Sequence, residues 1–328
     1  GREVLLVTSG AIGAGVGVLG WSHRPKELAR SQAAASVGQG RLMQRYAAAF
    51  SRHDIVVGQI LLTREDLTHR KRYLNARQTM RALLREGALP IINENDSVAV
   101  EEIRFGDNDE LSALVAHLMD ADLLVILSDV DGFERRLPGH KPELIPIVER
   151  ISSELERSAQ GTVRSTSIGG MVSKLQAARM VTTSGIPMLL ANGTHAGILK
   201  TNLLERHLAG TLFLPKGKGR MDARKRWLAY TAKPKGVVSI DSGAKEALIG
   251  QGKSLLASGI RKVGGRFKKG ELVSICDGRS QEFARGLISY SQKELVQIQG
   301  LRSDAIAKLL GRKAEAAVHR NSLVILQE

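Results

Sequence analysis

The sequence holds a single cysteine, Cys276, so no disulfide can close within the chain. It ends the apolar run Leu272-Val273-Ser274-Ile275-Cys276 and reads as a buried packing residue rather than a reactive thiol. Aromatic residues are only 4% of the chain, so its cores must rest on Leu, Ile, Val and Ala. No apolar run approaches the roughly 18 residues needed to span a bilayer, and no signal-peptide pattern opens the chain. These absences argue against a disulfide-stapled scaffold or a membrane protein and favour a reducing, cytoplasmic setting. Catalytic signatures are missing too. There is no G-x-x-x-x-G-K-[ST] phosphate loop and no G-x-S-x-G nucleophile elbow. The eight histidines show no metal-ligand spacing and no cysteine joins them, so no metal site is expected. Gly15-Val16-Gly17-Val18-Leu19-Gly20 matches G-x-G-x-x-G, but it starts well after the preceding strand. No acidic residue closes a later strand about 20 residues on, which argues against a dinucleotide site.

What the chain does have is an uneven charge distribution. Its 328 residues, 43% hydrophobic, suffice for two domains with real cores. Residues 1–215 carry 25 Lys and Arg against 23 Asp and Glu, whereas residues 216–328 carry 23 against 10. The excess positive charge therefore belongs to the last third, which points to two parts with different partners. Lys216-Gly217-Lys218-Gly219-Arg220 is basic, glycine-rich and has nothing to bury, and Arg224-Lys225-Arg226-Trp227 follows. Residues 1–215 thus read as one domain, 216–233 as a basic linker and 234–328 as a second domain.

In the first part, short apolar runs alternate with helical patterns. Strands are expected at Val4–Thr8, Ile55–Leu61, Pro90–Asn93, Leu123–Ser128 and Pro187–Ala191. Most lack polar alternation, as strands do when both faces of a parallel sheet are covered. Helices are expected at Arg30–Arg52, Tyr73–Glu86, Asn108–Met119 and Gly170–Thr183. In the third of these, Leu111, Leu114, Val115 and Leu118 share one face. The alternation predicts an open, mostly parallel three-layer α/β/α sheet. The second part breaks into short strand-like runs at Val237–Ile240, Ser258–Gly264, Glu271–Ile275, Phe283–Tyr290 and Ser322–Leu326, with helices at Gly243–Gly250 and Ser303–Leu310. It predicts a small mixed, β-barrel-like domain.

Ligands gather at the carboxyl ends of the strands in such a sheet, and polar or glycine-rich clusters fall there. Thr8-Ser9-Gly10-Ala11 follows the first strand, Asn93-Glu94-Asn95-Asp96 the third and Ser128-Asp129-Val130-Asp131-Gly132 the fourth. Gly106-Asp107-Asn108-Asp109 and Ile168-Gly169-Gly170-Met171-Val172-Ser173-Lys174 each lead into a helix. Glycines let backbone N–H groups approach an anion, and a helix N-terminus adds partial positive charge. Lys174 falls about one turn into its helix, within reach of a phosphoryl group. The acidic clusters suit a magnesium nucleotide or a substrate amine. Each cluster alone reads equally well as a helix cap or a turn. What favours ligand binding is that all of them follow strands in the same layer.

These clusters, in this order, resemble the amino-acid kinase family, in the branch that acts on glutamate. The matching stretches are Val7-Thr8-Ser9-Gly10-Ala11-Ile12, Val37-Gly38-Gln39, Gln59-Ile60-Leu61-Leu62-Thr63, Leu74-Asn75-Ala76-Arg77, Ile92-Asn93-Glu94-Asn95-Asp96, Phe105-Gly106-Asp107-Asn108-Asp109-Glu110-Leu111-Ser112-Ala113 and Gly169-Gly170-Met171. The second domain resembles a PUA domain, a module known mainly from RNA-modifying enzymes, through Gly270-Glu271, Ala284-Arg285-Gly286 and Ala317-Val318-His319-Arg320. The resemblance implies ATP-dependent phosphorylation of the γ-carboxylate of L-glutamate, the first step toward proline. It gives glutamate to Ser9, Asp96 and Asn108, with Asp96 on the ammonium and Ser9 and Asn108 on the carboxylates. It gives ATP to Ser128, Asp129 and the loop Ile168, Gly169, Gly170, Met171, Val172, Ser173 and Lys174. Lys174 would face the transferring phosphoryl group, with Mg²⁺ beside it. It further implies feedback inhibition by proline, a homo-oligomer and RNA at the basic domain.

Some family features are not matched. The family opens with a strand ending in a Lys-x-Gly-Ser/Thr loop, whereas this sequence starts at Gly1 with Val4-Leu5-Leu6-Val7 already strand-like. It therefore reads as a fragment, expected to be inactive or barely active alone. Ile168 and Val172 stand where hydroxyl residues are common, and the Phe133–Pro142 segment lacks an Asp-Pro pattern. Two alternatives stay open: a sister kinase acting on aspartate, acetylglutamate, carbamate or UMP, or an RNA-binding protein with a dead kinase-like part.

Overall fold

The computed structural model describes residues 1–100, 108–135, 142–160, 170–205, 207–215 and 219–326. The chain forms two compact units, Gly1–Arg220 and Met221–Glu328.

The first unit runs β1 (Leu6–Val7), α1 (Ala11–Val18), α2 (Leu28–Phe50), β2 (Val57–Leu62), α3 (Arg64–Thr68), α4 (Arg70–Arg85), β3 (Leu89–Glu94), α5 (Asn108–Met119), β4 (Leu124–Ser128), β5 (Glu134–Arg135), β6 (Glu143–Leu144), β7 (Ile147–Val148), α6 (Ser153–Gln160), α7 (Met171–Thr183), β8 (Met188–Asn192), α8 (Ile198–Leu203) and β9 (Thr211–Phe213). Strands β1, β3 and β2 form a parallel sheet in that order. A second sheet, ordered β4-β8-β9-β7, is parallel except where β8 meets β9. Every residue of β3 is buried, as expected of a strand covered on both faces. Helix α5 packs against β1, β3 and β4, and all eight residues from Leu111 to Leu118 are buried. The five strands and four helices expected here are all present, within a few residues at their ends. The expectation did not include α1, α3, the β5–β6 hairpin, β7, α6, α8 or β9, which are short.

The G-x-G-x-x-G match falls within α1 and the turn after it. A Cβ on Gly15 would lie 1.8 Å from Ala34 O, and one on Gly38 would lie 1.8 Å from Ala11 O. The two helices therefore touch backbone to backbone, and the glycines serve that contact.

The second unit carries α9 (Ala223–Arg226), which continues into a single π turn over Trp227–Thr231, then β10 (Gly236–Ile240), α10 (Ser242–Gln251), β11 (Ile260–Gly265), β12 (Leu272–Cys276), β13 (Glu282–Ile288), α11 (Gln292–Ile298), α12 (Ser303–Leu310) and β14 (Val318–Ile325). Its sheet is ordered β11-β10-β12-β13-β14, with only β10 and β12 parallel. Val238, Ile240, Val273, Ile275, Ile288, Leu295 and Val318 lie in one core. Helix α11 was not expected, although Ser291 and Glu294 form a capping box at its start, a pattern visible as Ser-x-x-Glu.

The linker expectation needs correction. Residues 223–231, inside the expected 216–233 linker, belong to the second unit: Arg226, Trp227, Leu228 and Ala229 are buried and the segment packs with β13 and β14. Arg285 Nη1 donates to Ala229 O at 2.7 Å. The charges of the segment dominated the sequence reading, whereas the apolar Trp-Leu-Ala that follows them decides where it goes. Cys276 is buried as expected, and burial first, then the Glu282 and Asp277 carboxylates, push its thiol pKa up.

Candidate active site

Parallel pairing of β1 with β3 carries on past Val7, where Thr8 N donates to Ile92 O at 2.9 Å. The chain then leaves the sheet through Ser9, which is exposed, and Gly10, whose φ of 100° starts α1. Only a residue without a side chain adopts that angle freely. Thr8 Oγ1 shares a 2.6 Å hydrogen bond with Tyr46 OH on α2. At the neighbouring strand end, Asn93 and Glu94 are buried, and Asn95 N donates to Leu62 O at 2.8 Å. This turns the chain so that Asp96 sits half-buried beyond the strand.

Asn108 opens α5 and joins these two strand ends. Its Nδ2 donates to Thr8 O and, at 3.2 Å, to Asn93 Oδ1. Asn93 in turn donates its Nδ2 to Gln39 Oε1 at 2.9 Å, and its Oδ1 accepts from Glu94 N at 2.9 Å. Three amide side chains from α2, β3 and α5 thus form one relay that ends beside Ser9.

The next residue of α5, Asp109, reaches the opposite way. Its Oδ2 accepts from Lys174 Nζ at 3.1 Å and from Ser173 Oγ at 2.9 Å. Ser173 Oγ also lies 2.8 Å from Gly170 O, closing the first turn of α7. Lys174 is 8% exposed, so its charge is held in the protein by a carboxylate rather than by water. Arg64 is paired with Glu110 one residue further along α5.

A second cluster stands at the ends of β4 and β8. Ser128 O accepts from Gly193 N at 2.8 Å, Ser128 Oγ donates to Asp129 Oδ1 at 3.2 Å, and Asn192 Nδ2 donates to Asp131 Oδ1 at 2.8 Å. His195 Nε2 lies 3.8 Å from the same Asp131 oxygen.

The structure therefore brings the loop bearing Ser9 together with Asn108, and Asn108 adjoins the Lys174 cluster through Asp109. Asp96 closes the strand that supplies Asn93. Ser128 and Asp129 occupy the end of a different strand. Gly170, Met171, Val172 and Ser173 lead into α7 as expected, with Val172 exposed. Ile168 and Gly169, and Gly106 and Asp107 of the other cluster, lie outside the described residues, as does most of Phe133–Pro142. Sequence reasoning assigned no role to Gln39, Asn93 or Asp109, although all three stand in the quoted motifs. Among the described residues, no group of three or more His, Cys, Asp or Glu side chains is placed to hold a metal ion, and no helix is long and apolar enough to cross a membrane.

The model of the amino acid kinase family matches residues 1–192 and that of the PUA domain residues 236–310. A glutamate 5-kinase of Pelobacter propionicus is 47% identical over 329 aligned residues, spanning 99% of this chain and 88% of that protein. One of Geobacter sulfurreducens is 48% identical with the same shares, and one of Trichlorobacter lovleyi is 49% identical over 99% of this chain and 87% of its own. With its strand ends, acidic α5 and glycine-led α7 arranged in this way, the chain belongs to the amino acid kinase family, in the branch of the glutamate 5-kinases, and carries a PUA domain behind its kinase domain.

Proposed function

We propose that the chain transfers the γ-phosphoryl group of ATP to the γ-carboxylate of L-glutamate, giving L-glutamyl 5-phosphate, the first step of proline biosynthesis. The pairing of Lys174 with Asp109 next to Asn108 supports this reading best. It sets a buried cation one residue away from the amide that adjoins the strand ends proposed for the amino acid. Ser9 takes a substrate carboxylate and Asp96 the ammonium. Ser128, Asp129 and the 168–174 loop take the nucleotide.

The chemistry asks little covalent help of the protein. A γ-carboxylate oxygen attacks the γ-phosphorus in line, the bond to the β,γ-bridging oxygen breaks, and ADP leaves with that electron pair. No base is required, because a carboxylate is already ionised at neutral pH. Both reactants are anionic, so the protein must supply alignment and positive charge. Lys174 serves the second need, and Asp109 holds it in place between turnovers. Magnesium would accompany the nucleotide, held mainly by its phosphates, as is usual for this ion; among the described residues, Asp109 beside Lys174 is a carboxylate that would suit it. The ion would neutralise phosphate charge.

The test is ATP- and glutamate-dependent hydroxamate formation, measured on this chain and with any residues encoded upstream of Gly1 restored. Aspartate, acetylglutamate, carbamate and UMP run in parallel as acceptors. Turnover of one of these in place of glutamate would transfer the assignment to a sister kinase. Feedback inhibition by proline and a homo-oligomeric state belong to the same reading. Adding proline to the assay tests the first and light scattering the second.

The PUA domain, with the basic segment before it, is proposed to contact RNA, supported by 23 Lys and Arg against 10 Asp and Glu across residues 216–328. Neutralised phosphates release counterions, so the affinity should fall steeply as salt rises. A filter-binding titration showing no salt-sensitive affinity would end this part of the reading.

A further inference from the structure

The orientation of each amide in the Gln39–Asn93–Asn108 relay can be deduced from backbone groups alone. Side-chain amide oxygen and nitrogen are ordinarily assigned by their neighbours, and here the neighbours leave no choice. Glu94 N is a donor, so the Asn93 atom 2.9 Å from it must be the oxygen. The other Asn93 atom is then a donor, and the Gln39 atom 2.9 Å from it must be an oxygen. At the far end, Thr8 O is a carbonyl and can only accept, and Asn93 Oδ1 can only accept. The Asn108 atom facing both is therefore its NH₂ group.

Two consequences follow. Both amide protons of Asn108 are committed to protein acceptors, so its remaining polar atom, Oδ1, is purely an acceptor. The relay also leaves Gln39 Nε2 buried with no hydrogen-bond partner among the described residues. A buried unmatched donor calls for an explanation, and an apolar residue at position 39 would have avoided it. Keeping Gln39 instead supplies the oxygen that holds Asn93, and through it Asn108, in one polarity.

We propose that the Gln39–Asn93–Asn108 relay is a polarity lock that makes Asn108 an acceptor for the α-ammonium of the bound amino acid. This rests on the proposed function and revises the expectation that Asn108 holds a carboxylate: a carboxylate needs donors, and Asn108 has none left. Asn108 contacts the substrate, and Asn93 and Gln39 are positioning residues. The lock makes the site select a dicarboxylate that carries an ammonium group over one that does not.

The experiment measures calorimetric Kd values of the chain for L-glutamate and for glutarate, the same dicarboxylate without the ammonium. The readout is the ratio of the two, which a merely structural role would leave unchanged. The native chain is expected to prefer glutamate. Asn93→Leu removes one of the two acceptors that hold Asn108, leaves Thr8 O and frees an amide proton, so the ratio should shrink by up to about tenfold, the worth of one charge-assisted hydrogen bond. Asn93→Asp keeps that acceptor and lets Gln39 turn its NH₂ group toward it, so the ratio should stay within about twofold of native. Should Asn93→Leu fail to fold, Gln39→Met, which keeps the side-chain shape, gives the same test with a smaller expected loss. An unchanged ratio in the folded leucine or methionine variant, or equal weakening of both ligands, overturns the proposal. A native chain that binds glutamate no better than glutarate overturns it too, while one that binds neither shows instead that the glutamate reading itself is wrong.

Discussion

Lys174 Nζ lies 3.1 Å from Oδ2 of Asp109, 65 residues away in sequence. The two side chains are 10% and 16% exposed. A pair so sheltered contributes little net stability if exchanged as a whole for apolar residues, but losing one member takes a charge partner from the other at a real cost. Asp109 also accepts from Ser173, so one carboxylate oxygen fixes both the lysine and the turn that presents it.

The two partners should fail differently. Lys174→Met should lower kcat about 10²–10³-fold, the usual loss when one preorganised group facing developing charge is removed, with little change in the KM for glutamate. Asp109→Ala should instead destabilise the fold by about 3 kcal/mol, because it takes a carboxylate partner from a sheltered cation. Hydroxamate kinetics and urea unfolding separate the two. Equal kinetic and stability losses in both variants would mean that the pair is a structural link alone.

Close contact between α1 and α2 predicts a contrast within one helix. Gly38→Ala would drive a methyl to 1.8 Å from Ala11 O, and backbone cannot yield as a side-chain tip does. The expected cost is about 3 kcal/mol or more, at or above the upper end for overpacking. Gly40→Ala, two residues on and with nothing within 4 Å, should stabilise by up to about 1 kcal/mol through helix propensity. Thermal or urea melts of the two variants decide the matter.

Acid should weaken the second unit. Hydrogen bonds from Ser291, and then Arg312, hold the Glu294 carboxyl below its ordinary value of 4.5. For Glu282, burial alone would raise the pKa, but hydrogen bonds from Arg285 and Ser274 outweigh it and the net shift is downward. Lys245 and the backbone N–H of Gln281 lower that of Asp277. A carboxyl depressed on folding contributes stability above its unfolded pKa and loses it as pH falls through the folded one. The unfolding midpoint reported by Trp227, in a Trp21→Phe background, should be flat near neutrality and fall below about pH 4.5, the ordinary glutamate value. Glu294→Gln keeps a hydrogen-bonding cap but should flatten part of that fall; an unaltered pH profile would remove Glu294 from the account.

Local pattern carried much of this molecule. Runs such as Pro90–Asn93 and Leu123–Ser128 are strands because their apolar residues can only be sheltered inside a covered sheet, and that is legible in a few consecutive letters. The same holds for α5, whose Leu111, Leu114, Val115 and Leu118 repeat at the helical period, and for the division of charge between the two parts. The ends of β1, β3 and β4, beside Ser9, Asp96 and Ser128, were legible too, since chain direction fixes which edge of a parallel sheet they lie on.

Tertiary structure decided what lies opposite what. Nothing near Asp109 in sequence announces Lys174, and nothing near Asn108 announces that Thr8 and Asn93 take both its amide protons. Nothing in sequence says why Gly15 and Gly38 must be glycine until two helix backbones are seen to touch there. Residues 216–233 read as a basic linker until Trp227 and Leu228 were seen packed with β13 and β14. Propensity and periodicity act over a turn or a strand, so one sequence window records them. Hydrogen-bond polarity, ion pairing and backbone contact depend on groups tens of residues apart, and only the folded chain sets their distances.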